Sequence, residues 1–92
     1  MSHAPEQSFA LEPHARFRVH DGEGIFVLQE AGEVLVVNSV GAFVVERITQ
    51  QASLKETAVA MTQNFDVAID AALRDATQLV GELVNAGALT PT

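Results

Sequence analysis

The sequence predicts an α+β domain, three antiparallel strands followed by three helices. Residues 16–37 hold short apolar, β-branched runs separated by Gly-containing turns. Residues 40–85 hold apolar side chains at helical spacing. The two regimes meet at Val37-Asn38-Ser39, where a strand runs into a helix with almost no loop.

Taken in order, Arg16-Phe17-Arg18-Val19-His20 alternates polar and apolar residues and predicts a half-buried strand. Asp21-Gly22-Glu23-Gly24 supplies a hairpin turn, because Asp-Gly tolerates positive φ. Ile25-Phe26-Val27-Leu28 is the second strand. Glu30-Ala31-Gly32-Glu33 is the next turn, and Val34 to Val37 the third strand. Asn38 and Ser39 can both accept hydrogen bonds from free N–H groups at a helix start. Phe43, Val44 and Ile48 then recur on one face of the first helix. Ser53-Leu54-Lys55-Glu56 is a capping box that opens the second, with Leu54, Ala58, Met61 and Phe65 on its apolar face. The third helix spans about Ile69 to Asn85. Its wide stripe is Ile69, Ala72, Leu73, Ala76, Leu79, Val80, Leu83 and Val84. Gly87 suits its C-terminal stop, and Leu89 is expected to fold back on the core. Residues 1–12 show no period and are expected to be a flexible N-terminal tail, with the alternative that Phe9 and Leu11 cap the core, leaving 13–92 as a single domain. Three strands in a meander before three helices make a winged-helix-like order.

Composition removes several function classes. There is no cysteine, hence no disulfide and no thiol chemistry. Five basic against twelve acidic residues give a net charge of −7, which opposes nucleic-acid binding. No apolar run nears the ~20 residues of a membrane span, and no signal-peptide pattern opens the chain. A cytoplasmic protein is the expectation.

Chemistry has few residues to use. His3, His14 and His20 lack a His-x-x-x-His spacing, so no metal site is expected. Two of the four serines, Ser39 and Ser53, fall at helix starts. No nucleophile motif, phosphate loop or buried carboxylate pair is visible. The chain is expected not to be an enzyme and to hold no cofactor.

The informative stretch is Glu33-Val34-Leu35-Val36-Val37-Asn38. As the last strand of a meander it lies on a sheet edge, with unpaired N–H and C=O groups. Its side chains are apolar on both faces, so something should cover the outer one: a helix, a second subunit or a peptide. The third helix is the natural wall beside it, and Asp66, Asp70 and Asp75 near that wall would favour a peptide carrying Lys or Arg.

Val37-Asn38-Ser39-Val40-Gly41-Ala42 also carries a resemblance. It is similar to the PqqD family, small peptide-recognition domains of ribosomally made, post-translationally modified peptides. The family signature is an apolar strand, Leu-Asn-Glu-Thr-Gly-Ala, then an apolar helix. Asn38, Gly41 and Ala42 match it. Leu54-Lys55-Glu56-Thr57, Asn64-Phe65-Asp66-Val67 and Gly87-Ala88-Leu89 sit where the family has a second helix, an aromatic-Asp-Val turn and a terminal Gly-x-Leu. Val40 departs from the usual Thr, and Phe43 is the only aromatic residue of the first helix.

The resemblance implies that the leader segment of a precursor peptide adds as an extra strand to the third strand and lies against the third helix. Carried over, the groove falls on Val34, Leu35, Val36 and Val37, faced by Asp70, Leu73, Arg74 and Thr77. It also implies a separate modifying enzyme as partner, often a radical S-adenosylmethionine protein. Quinone cofactor, lasso peptide and other pathways stay open. The alternative is a structural or regulatory subunit that forms a homodimer, or docks on an enzyme, through the same edge. A DNA-binding winged helix is disfavoured by charge: the second helix offers Lys55 alone, and the third offers Arg74 among Asp70, Asp75 and Glu82.

Overall fold

A computed structural model describes residues 4–92. His3 and the first residues of the expected tail lie outside the described residues. The element order is β1 (Phe9–Leu11), β2 (Ala15–His20), β3 (Glu23–Leu28), β4 (Glu33–Val37), α1 (Ser39–Thr49), α2 (Leu54–Asn64), α3 (Ile69–Asn85) and β5 (Leu89–Pro91). The antiparallel meander β2-β3-β4 and the three helices are those the sequence predicts.

Local chemistry explains several of the boundaries. Asp21 and Gly22 sit at φ 52° and 81°, the two positive values of a two-residue hairpin turn that follows strand twist. Asn38 caps α1 by accepting a hydrogen bond from the Gly41 N–H at 2.9 Å. Ser53 and Glu56 close the capping box of α2 at 3.0 and 2.8 Å. Gly87 leaves α3 at φ 84°.

The core lies where α1, α2 and α3 meet the inner face of the sheet. Phe26 and Leu28 of β3, Val44, Val45 and Ile48 of α1, Leu54 and Met61 of α2, and Ala76 and Val80 of α3 are all buried. Phe65 caps the end of α2, half-buried, with its ring edge-on to Phe43 at 5.2 Å. Arg47 in turn lies over the Phe43 ring at 4.9 Å.

The tail expected over residues 1–12 needs correction from Pro5 onward. β1 pairs antiparallel with β5, with Phe9 opposite Pro91 and Leu11 opposite Leu89. Phe9 is fully buried. The reason is hydrogen bonding that no local pattern encodes. A helix start leaves its first N–H groups without partners. In α2, Leu54 N–H reaches the Gln7 carbonyl at 3.2 Å and Lys55 N–H reaches the Pro5 carbonyl at 2.8 Å. Glu12 N–H and Thr92 N–H bond to Ala88 and Ser8 carbonyls. The segment fastens α2 to the end of the chain.

Candidate functional site

The sheet has two edges, β2 and β4, and they differ. The Asp21-Gly22 turn fixes the phase of the ladder, because such a turn closes on a hydrogen-bonded pair, here His20 and Glu23. Bonding direction alternates along an antiparallel strand. Main-chain groups of Ile25 and Val27 therefore face β2, while those of Gly24, Phe26 and Leu28 face β4. Their partners on β4 are Val37, Leu35 and Glu33. The N–H and C=O of Val34 and Val36 consequently point out of the sheet. No other backbone segment among the described residues bonds to them.

On β2 the outward main-chain groups are those of Phe17 and Val19 by the same count. That strand displays exposed Arg16 and Arg18, and charged side chains discourage strand addition. No charged residue stands between Glu33 and the end of β4. Instead Val34 and Val36 expose 62% and 60% of their surface. β4 is thus the bare edge of an otherwise protected sheet.

Beside it runs a groove of ≈ 470 Å³. Val36 and Val37 line one side and Asp75, Gln78, Leu79 and Glu82 of α3 the other. Its floor is apolar: Val40, Gly41 and Val44 from α1, and Met61 from α2. Each signature residue has a job here. Asn38 fixes the start of α1, and Ala42 is buried under it. Gly41 stands where a Cβ would come 2.9 Å from the Val37 Cβ and 3.4 Å from Leu79 Cδ2. Only a residue without a side chain lets α1 start this close to β4. Val40, in place of the family's Thr, adds apolar surface to the groove.

Gly41→Ala is expected to destabilise the domain. The added carbon meets a branched Cβ rather than the end of a flexible chain, so overpacking of about 1–3 kcal/mol outweighs the helical gain of up to ~1 kcal/mol. Gly81→Ala in α3, with nothing within 4 Å of its added carbon, is expected to hold or raise stability. Urea denaturation of both variants checks the contrast.

Of the positions expected from sequence, Val36 and Val37 line the groove, with Val34 and Leu35 on the same strand. The helix residues Asp70, Leu73, Arg74 and Thr77 are not among its lining. At about 100° per residue from buried Ala76, they fall on one flank of α3, while Asp75, Leu79 and Glu82 fall on the other. Asp70 is exposed in the first turn, where an acid suits the helix dipole. Leu73 packs on the core, and Thr77 Oγ1 donates to its carbonyl at 2.7 Å. Arg74 is exposed and lies 3.9 Å from Asp75. Asp66 is exposed and likewise outside the groove lining. Leu73 and Leu79 are both half-buried and border the apolar stripe on opposite sides, so the helical pattern alone does not choose between the flanks.

His14 lies 3.7 Å from Glu30 and His20 lies 3.5 Å from Asp21. Among the described residues no cluster of three metal-ligating side chains occurs, and no helix is long and apolar enough to cross a membrane.

A small α+β domain with one bare strand edge beside a helix-walled groove defines a class of open-sheet binding domains. The chain belongs to the family described as Coenzyme PQQ synthesis protein D (PqqD), which matches residues 21–89. No curated protein matches it. Two solved structures share the fold. A lasso peptide synthetase B1 complexed with the leader peptide is 26% identical with a TM-score of 0.84, covering 91% of this chain and 99% of that one. TbiB1 in complex with the TbiA(beta) leader peptide is 16% identical with a TM-score of 0.81, covering 87% and 93%.

Proposed function

We propose that this chain binds the leader segment of a ribosomally made precursor peptide and presents it to a separate modifying enzyme. The leader adds as a strand to β4 and lies in the groove against α3. The observation that carries this is the pair of outward main-chain groups at Val34 and Val36, bare of charge and set beside an apolar groove. Strand addition gives sequence-tolerant affinity through the main chain, and alternate side chains in the groove give selectivity. Family membership supports the reading, as does the likeness to a lasso peptide synthetase B1 complexed with its leader.

The contacting residues in this reading are Val34, Leu35, Val36 and Val37 on the strand, and Asp75, Gln78, Leu79 and Glu82 on the helix. The role is one of holding, not of catalysis. Its benefit to the enzyme is effective concentration of the attached core peptide. A radical S-adenosylmethionine protein is one partner class for a member of this family, and the cytoplasm, where precursors are made, is the place of action. Because the interface is small, affinity should be on the order of micromolar to high nanomolar.

A titration of ¹⁵N-labelled protein with the leader encoded by a neighbouring gene tests this. The largest amide shifts are expected at Val34 and Val36. A saturable complex that leaves both unmoved would refute strand addition at β4. Sedimentation across a concentration range separates this from a homodimer that occupies the same edge.

A further inference from the structure

We propose that the groove selects leaders with a Lys or Arg two positions from the apolar side chain seated on Leu79. The inference rests on the strand-addition reading above and deepens it.

The charge around the groove is one-sided. Asp75 and Glu82 line it, and no cation does. The five basic residues of the chain are elsewhere. Arg16 and Arg18 stand on β2 at the opposite sheet edge, and Arg47 covers the Phe43 ring. Lys55 is in the first turn of α2. Arg74 is on the other flank of α3, and its 3.9 Å approach to Asp75 joins two exposed groups, a contact that neutralises little.

Spacing then sets the pattern. Leu79 lies four residues after Asp75 and three before Glu82, so the acids stand ~6 and ~4.5 Å along the helix on either side of it. In an extended guest, side chains that enter the groove are two positions apart, or ~7 Å. For a guest that runs along α3, an apolar side chain opposite Leu79 has its inward neighbours close to Asp75 and Glu82. A long basic side chain bridges the remaining gap, and an acid placed there meets like charge. The recognised pattern is basic–x–apolar, or the symmetrical basic–x–apolar–x–basic.

The probe is a displayed library of random twelve-residue peptides, selected against the wild-type protein and against an Asp75→Asn/Glu82→Gln variant. Synthetic copies of the enriched peptides are then titrated into labelled protein. The expected result is enrichment of Lys or Arg two positions from an aliphatic or aromatic residue. Replacing that base with Gln should weaken binding to the wild type about 2- to 5-fold at low salt, with little change for the variant. A Glu23→Gln/Glu46→Gln protein, with the same net charge as the variant but altered outside the groove lining, should keep the preference. Absence of a basic preference, or a preference that survives in the Asp75→Asn/Glu82→Gln variant, overturns the inference while strand addition stands. Enriched peptides that leave the Val34 and Val36 amides unmoved sink both.

Discussion

Val36→Pro is expected to weaken guest binding by about 100-fold or more while the domain stays folded. The Val36 N–H points out of the sheet, because the residues of β4 that hydrogen-bond to β3 are those on either side of it, Leu35 and Val37. Proline there removes a donor that the guest carbonyl would be desolvated to meet, and its ring fills the space of approach. An unmet buried acceptor costs about 1–3 kcal/mol, and the lost fit of the neighbouring residues adds to it. At ~1.4 kcal/mol per tenfold, a total near 3 kcal/mol gives the stated factor. Proline is tolerated on edge strands where its nitrogen faces solvent, so circular dichroism and the core amide spectrum should remain native. Leu35→Pro is the internal contrast. Its N–H faces Phe26, so the same substitution one residue earlier breaks the ladder and should destabilise the fold itself. Binding by Val36→Pro at wild-type strength would mean that the guest does not use this edge.

Phe9→Ala is expected to destabilise the domain by about 3–5 kcal/mol. Phe9 is fully buried and is held in β1 against β5. A chain of 92 residues has a stability on the order of 5–15 kcal/mol, so the loss is a large share of the total. If the segment were a free tail, the substitution would move stability by less than ~0.5 kcal/mol. Guanidinium or urea denaturation decides between them. A truncation that starts at Ala10 should behave like the substitution, or worse, since it also removes the Pro5 and Gln7 carbonyls from the start of α2.

These two cases also mark what could and could not be read from residues alone. The meander and the three helices were legible because each is written locally. Asp21-Gly22 encodes its turn, Asn38 and Ser53 their caps, and α3 its stripe from Ala72 to Leu83. β1 and β5 were not legible. Each is three residues long, too short to show a period, and each exists only because the chain ends meet. The bare edge was legible in Val34 to Val37 because two consecutive faces without charge are unusual for a strand facing water. The helix side of the groove was not. Both flanks of α3 are polar, Asp70, Arg74 and Thr77 on one and Asp75, Gln78 and Glu82 on the other. Which of them meets β4 depends on how α3 lies across the sheet, a property of the packed domain and not of the helix.

The contrast between the arginine-bearing β2 and the uncharged β4 gives the molecule a polarity of assembly. Head-to-tail stacking of copies into a fibre would require each bare rim to join an arginine-lined one, and that junction is obstructed at every step. Bare rims can join only each other, which ends growth at a pair. A vacant docking port can thus be kept in a concentrated solution without seeding a polymer.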